Sequence, residues 1–421
     1  MDFIYFIFNY LLLILCVIGY GFFFSNKLTK YNDFTASNIS LGLIGIFGVF
    51  FLIFLSFISN LLISHNNYFN LLILLIGLIL LFAYSKTNWS KINIKFFLPT
   101  FLLSILFILH YKTHDDFSYY HLSFISNLTN NKIEFGLGHF DVAFNHVSSL
   151  FYFHSLFKTP LTNDFYYFLG QSCIVLFTNI IILENIFEKY KNDKLSTSFF
   201  LSIFCLIFIN VFFYRIAEHG TDRSAQILFF LFFIFIVVIL EGKSFSNKIF
   251  EALIIIFTLI VTIKSFYLLY SLMLFFIYIK YFKINQIFQV IKKFPIIYLC
   301  LLPLVLLIIH NISHSGCMLY PLSFTCLDQF FWGYSKAQVS AYMEWYELWS
   351  KAGANPNMIV DDVKLYLNNF NWVSNWIQNY FFNKFSDYFL GIILAVLICA
   401  ILFKIKKFSF IGFKKFNFIY L

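Results

Sequence analysis

Long apolar runs separated by short polar turns dominate this chain. Eleven of them fall at residues 2–24, 38–63, 68–84, 96–110, 165–187, 196–213, 225–240, 249–262, 266–279, 295–310 and 387–403. Each is near the length of about 20 residues that carries an α-helix across about 30 Å of hydrocarbon. The pattern therefore predicts a polytopic, all-α transmembrane bundle of about eleven spans. The first run is long for a signal-peptide core and lacks both a basic leader and a small-residue cleavage site, so it is expected to be retained.

Composition points the same way. With 61% hydrophobic and 12% charged residues and a mean hydropathy of +0.81, the chain has too little polar surface for a water-soluble globule. Lysine and arginine resist translocation, so their distribution sets orientation. Threading eleven spans with the N-terminus outside and the C-terminus inside places 19 of the 29 basic residues and six of the 20 acidic ones in the cytoplasm. The formal charge is then +13 inside and −4 outside, together the +9 of the whole chain. The basic balance follows from topology and gives no support to nucleic-acid binding.

Two outer segments are long, residues 111–164 and 311–386, and a scaffold of joined helices carries function in such loops. The expected organisation is an N-terminal helical block at 1–95, a membrane core at 96–310 containing the first outer loop, an aromatic-rich outer loop at 311–386, and a last span with a basic tail at 387–421. Within the first loop, "VAFNHVSSLFYFHSLF" (142–157) carries recurring polar residues and is expected to lie along the membrane surface. Cys317 and Cys326 are the two cysteines expected in a loop; they form a disulfide if the outside is oxidising and otherwise stay a free pair. Trp332, Trp345, Trp349, Trp372 and Trp376 read as interfacial anchors or as sugar-stacking platforms.

Charge is scarce, so its placement is informative. "THDDFSYYHL" (113–122) puts Asp115 and Asp116 directly after an apolar helix. Adjacent carboxylates near an interface need a cation, a metal or a proton, or else form a solvated helix end. The two arginines, Arg215 and Arg223, stand against 27 lysines and share one short outer turn with Glu218 and Asp222. An arginine fork binds phosphate or carboxylate bidentately; here it serves either a phosphate ligand or pairing with those two acids. Lys264 interrupts the apolar stretch 249–279, as a snorkelling turn residue or as a cation for the same outer face.

These landmarks resemble a family. Asp116, Tyr120 and His121 in a D-x-x-x-Y-H pattern, "GLG" at 136–138, Phe144 and Asn145, Asp222 in an outer turn, "TIK" at 262–264, and Ser315, Gly316, Tyr320 and Pro321 occur in order over about residues 96–350. Their order and spacing are similar to those of large bacterial inner-membrane proteins related to the GT-C glycosyltransferases. The segment after "GLG" is shorter than in that group, so no role is carried to His139 or Asp141.

The resemblance implies a seven-helix core, here the runs from 96–110 to 295–310, and sugar transfer from a polyprenyl-phosphate donor to a glycan or lipid acceptor at the outer face. It implies Asp116 as general base, with Asp115 beside it and His121 tuning it, binding acceptor, or simply capping at the interface. Arg215, Arg223 and Lys264 would meet the phosphate, Asp222 would orient an arginine or hold a cation, and Tyr120, Asn145 and Tyr320 would contact substrate. No cofactor is required; a divalent ion on His114, Asp115, Asp116 and His121 is the alternative. Rival classes are a flippase or ion-coupled carrier of lipid-linked sugars, and a polymerase using a glycan-bearing lipid.

Overall fold

The computed structural model describes residues 3–32, 40–88, 94–110, 116–162, 169–192, 194–213, 220–242, 245–355, 358–405 and 409–411. All eleven apolar runs are helical: α1 (Phe3–Asn32), α2 (Leu41–Leu62), α3 (Asn67–Asn88), α4 (Phe97–Leu109), α7 (Leu169–Lys191), α8 (Thr197–Ile207), α9 (Gly220–Glu241), α10 (Asn247–Ile263), α11 (Ser271–Tyr281), α13 (Ile296–Ser315) and α17 (Phe382–Ile405). Between them lie α5 (Leu122–Asn130), α6 (Ser149–Ser155), α12 (Ile287–Lys293), α14 (Lys336–Ser350), α15 (Val363–Leu367) and α16 (Val373–Trp376). Among the described residues, extended pairing is limited to two pairs of two- or three-residue strands, β1 (Lys194–Ser196) with β4 (Ser409–Ile411) and β2 (Ala354–Asn355) with β3 (Met358–Ile359), and a bridge between Cys317 and Cys326.

Among the described residues, seven helices are long and apolar enough to cross a membrane: α1, α2, α3, α7, α9, α13 and α17. The expected eleven spans thus separate into these seven and four shorter helices. Local breaks account for the shortening. α8 gives way to a π turn at Phe208–Phe212, and α10 ends where Lys264 adopts an extended backbone at φ −145°.

The chain divides into two compact units. The first holds residues 1–133, 148–307 and 399–421; the second holds 134–147 and 308–398. The helices of residues 1–95 fall within the first unit.

In the first unit, α1 packs on both α2 and α3, while α7 packs on α2, α4, α8 and α9. Glycines let the first three helices touch backbone to backbone. A Cβ on Gly19 would overlap the Gly77 carbonyl, and one on Gly48 would overlap the Val17 carbonyl. Small residues at such crossings replace the hydrophobic drive that lipid does not supply between helices. α7 is buried continuously from Leu169 to Ile182 and forms the centre of this unit.

The 142–157 stretch departs from expectation. It divides into a 3-10 turn at Val142–Asn145 and α6, and all seven α6 residues are buried. α6 does not lie on a surface: it packs among α2, α5, α7 and α10. Its C-terminal Ser155 finds partners inside. Ser155 Oγ meets His65 Nδ1 at 2.5 Å, and His65 Nε2 meets Ser59 Oγ at 2.9 Å. The Asn70 amide donates to the carbonyls of His65, Ser155 and Lys158.

The second unit is assembled from two distant pieces of chain. Gly136 N–H donates to the Ser313 carbonyl at 2.7 Å, and the Tyr334 hydroxyl donates to the Gly138 carbonyl at 2.6 Å. His139 Nε2 lies 3.0 Å from the Trp332 carbonyl oxygen. Its small core gathers Cys317, Tyr320, Cys326, Tyr334 and Val339. Cys317 and Cys326 are joined by a disulfide, Sγ–Sγ 2.05 Å. The Tyr320–Pro321 peptide is cis.

Candidate functional site

The first unit brings three of the sequence landmarks together. Asp116 is partly buried and precedes a π turn, Phe117–His121, closed by the Leu122 N–H bonding to the Phe117 carbonyl. This turn leads into α5, whose far end is tied to α2 by Ile133 N–H bonding to the Asn60 carbonyl and by the Asn60 amide bonding to Asn131. Tyr120 lies on the His121 ring at 4.3 Å between centroids, and Phe151 of α6 lies at 5.0 Å. His121 is 7% exposed.

His121 rests on the start of α9. Gly220 opens that helix at φ +48°, and a Cβ there would sit 2.6 Å from His121 Cε1. Only glycine fits both the left-handed backbone and the close approach. Two residues later Asp222 lies in the first turn of α9, where the helix dipole favours a negative charge. Its carboxylate bonds to Lys264 Nζ at 2.5 Å. Lys264 in turn is set by α6: Ser148 Oγ donates to the Ile263 carbonyl at 2.8 Å, and Ser149 Oγ donates to Thr262 Oγ1 at 3.1 Å. Arg223 donates to Gln226 at 2.8 Å and lays its guanidinium over the Phe213 ring, 4.3 Å from the centroid.

The electrostatics are permissive at the rim and severe beneath it. The Asp222 side chain is 62% exposed and that of Lys264 36%, so their pair is worth only about 0–1 kcal/mol. Another anion can displace Asp222 from Lys264 at little cost. Below, His154 on α6 is 3% exposed and its ring is packed against Gly170. Burial, then the nearby His121, pulls its pKa down to about 3, and its Nε2 has no hydrogen-bond partner.

Over residues 3–421 the sequence matches the family model described as a domain of unknown function, DUF8201. The chain belongs to that family. No curated protein and no solved structure matches it.

For a member of this family, the sequence-derived residues sort by unit. Asp116, Tyr120, His121, Asp222, Arg223 and Lys264 all belong to the first. Asp222 pairs with the Lys264 ammonium. Asp115, His114, Arg215 and Glu218 lie outside the described residues. Asn145 and Tyr320 belong to the second unit. Tyr320 is 5% exposed, its hydroxyl 3.4 Å from that of Tyr346, which His146 Nε2 meets at 3.0 Å. Burial first, then Tyr346, pushes the Tyr320 phenol far above its ordinary value. Asn145 is 1% exposed, pressed against Gly138 and electrostatically coupled to the Tyr334 hydroxyl. Among the described residues no group of three or more His, Cys, Asp or Glu is arranged to hold a metal ion.

Sequence reasoning assigned no role to Gly220 or His154. A lone glycine in a polar turn and one histidine in an apolar stretch carry no periodic or motif signal. Their place beside His121 depends on tertiary packing alone.

Proposed function

We propose that this chain is a membrane glycosyltransferase of GT-C type, transferring a sugar from a polyprenyl-phosphate donor to a cell-surface glycan or lipid acceptor at the outer face of a bacterial inner membrane. In this reading all eleven apolar helices lie at membrane depth, and the seven from α4 to α13, omitting the short α5, α6 and α12, form the core.

The observation that carries the proposal is the convergence in one unit of the Asp116 segment, through His121, with the Gly220–Asp222–Lys264 group. Asp116 takes the proton from an acceptor hydroxyl as that oxygen bonds to the anomeric carbon. The bond from that carbon to the phosphate oxygen breaks, and the pair of electrons leaves with the polyprenyl phosphate. Inversion follows from a single displacement, which needs one base in reach of the attacking hydroxyl. Lys264, loosely held by Asp222, turns to the phosphate as its charge grows, with Arg223 and Arg215 as the other cations.

The test is transfer from a panel of synthetic polyprenyl-phosphate sugars by purified protein in nanodiscs, with Asp116→Asn beside it and chelator in parallel. Transfer lost in Asp116→Asn and kept with chelator is the expected result. Donor binding without transfer to any acceptor would replace the enzyme by a carrier of the same lipid.

A further inference from the structure

Glu251 sits in the second turn of α10, beyond the first turn where a helix dipole acts. It has no accessible surface, and neither carboxyl oxygen has a hydrogen-bond partner. Glu241, at the end of α9, makes an informative contrast. Its side chain is 4% exposed, and it accepts from the Ser198 N–H at 2.7 Å and the Ser198 hydroxyl at 2.6 Å while pairing with Lys189 at 3.4 Å. At Glu241 the fold supplies donors to the buried carboxyl. At Glu251 it supplies none.

The titratable groups at this end of the neighbouring elements are Lys248 on α10 itself, Glu241 on α9, Lys280 and Tyr281 on α11, and Lys292 and Lys293 on α12. None of them is a partner of Glu251. The Tyr281 hydroxyl donates to the Ile239 carbonyl. Lys280 lies over the Tyr281 ring, and Lys293 lies near the Phe282 and Phe294 rings. The preceding residue, Phe250, packs its ring against Phe245 and Phe294. A bare carboxylate amid apolar packing with no donor is far less favourable than the neutral acid.

We propose that Glu251 is a proton-binding site: a carboxylic acid held neutral inside the helix layer, whose loss of a proton to water obliges the first turns of α10 to shift. The site is independent of the sugar-transfer reading. Because α10 ends at Lys264, such a shift is felt at the Asp222 pair.

The experiment is infrared spectroscopy of the purified full chain in nanodiscs near neutral pH. Wild type should show the carbonyl stretch of a protonated carboxylic acid that is missing from Glu251→Gln. Identical spectra in that region would overturn the proposal. Should Glu251→Gln not fold, wild type is treated with dicyclohexylcarbodiimide, which attacks protonated carboxyls, and mapped by mass spectrometry. Modification of Glu251 in several-fold excess over Glu241 is expected, and equal or absent modification of Glu251 would again overturn it.

Discussion

At the level of single residues, Lys264 is the position at which chemistry and geometry meet most directly. Its ammonium is held by an exposed carboxylate, and the two residues before it are bonded by Ser148 and Ser149 at the start of α6. Removing it in Lys264→Met should lower kcat/KM for sugar transfer by about ten-fold or more, the scale of one lost electrostatic contact to a developing charge. Asp222→Asn leaves the ammonium in place and should change the rate by only a few-fold. Steady-state kinetics on both variants checks this. Lys264 was legible in the sequence because a lysine in an apolar run demands a reason, whereas the partner it chose was not. The sequence offered Asp222 an arginine or another cation, and the fold brings the Lys264 ammonium to it.

His65 gives a second residue-scale prediction. Burial pulls its pKa down to about 4, and the neutral ring bridges Ser59 and Ser155. The unfolded chain, with the ordinary value of 6.5, therefore binds more protons between those two values. Stability contributed by the neutral ring is present above about 6.5 and is lost progressively as pH falls toward about 4, by on the order of 3 kcal/mol. Thermal melts across that window should fall in wild type and flatten in His65→Gln.

Among the elements, the α1–α2–α3 contact is the most sensitive to added volume. Gly48→Leu forces the α1 backbone away at Val17, and Gly19→Leu does the same to α3 at Gly77. Either should destabilise by about 1–3 kcal/mol or more, read as a lower melting temperature in detergent, while Gly353→Ala, outside this trio, leaves the helix contact intact. The apolar runs disclosed these helices because a crossing helix must be apolar along its length. They did not disclose α6, since a seven-residue buried helix and a surface-lying one share the same mixed pattern, and the partners of Ser155, His65 and Asn70, come from other elements. The π turn at Phe117–His121 was equally hidden. Deleting one of its residues would restore α-helical spacing and rotate Asp116 by about 100° relative to α5. Transfer should be lost with the fold retained, which activity and circular dichroism together would separate.

On the scale of the whole molecule, the balance of lysines predicts sidedness. A maleimide that cannot cross the membrane should label a single cysteine introduced at Phe331, which is 95% exposed, in intact cells, while one at Lys404 is reached only after permeabilisation. The expected domains followed chain order, whereas the second compact unit takes its parts from residues 134–147 and 308–398. That split bears on the timing of synthesis. The Tyr334 hydroxyl and the Gly138 carbonyl it caps are 196 residues apart. At about 5–20 residues per second, the "GLG" segment waits roughly 10–40 s for its partner to leave the ribosome. For that interval the early strip of this unit has been made but has nothing to close against, and a helper protein that shelters nascent segments would find its client there.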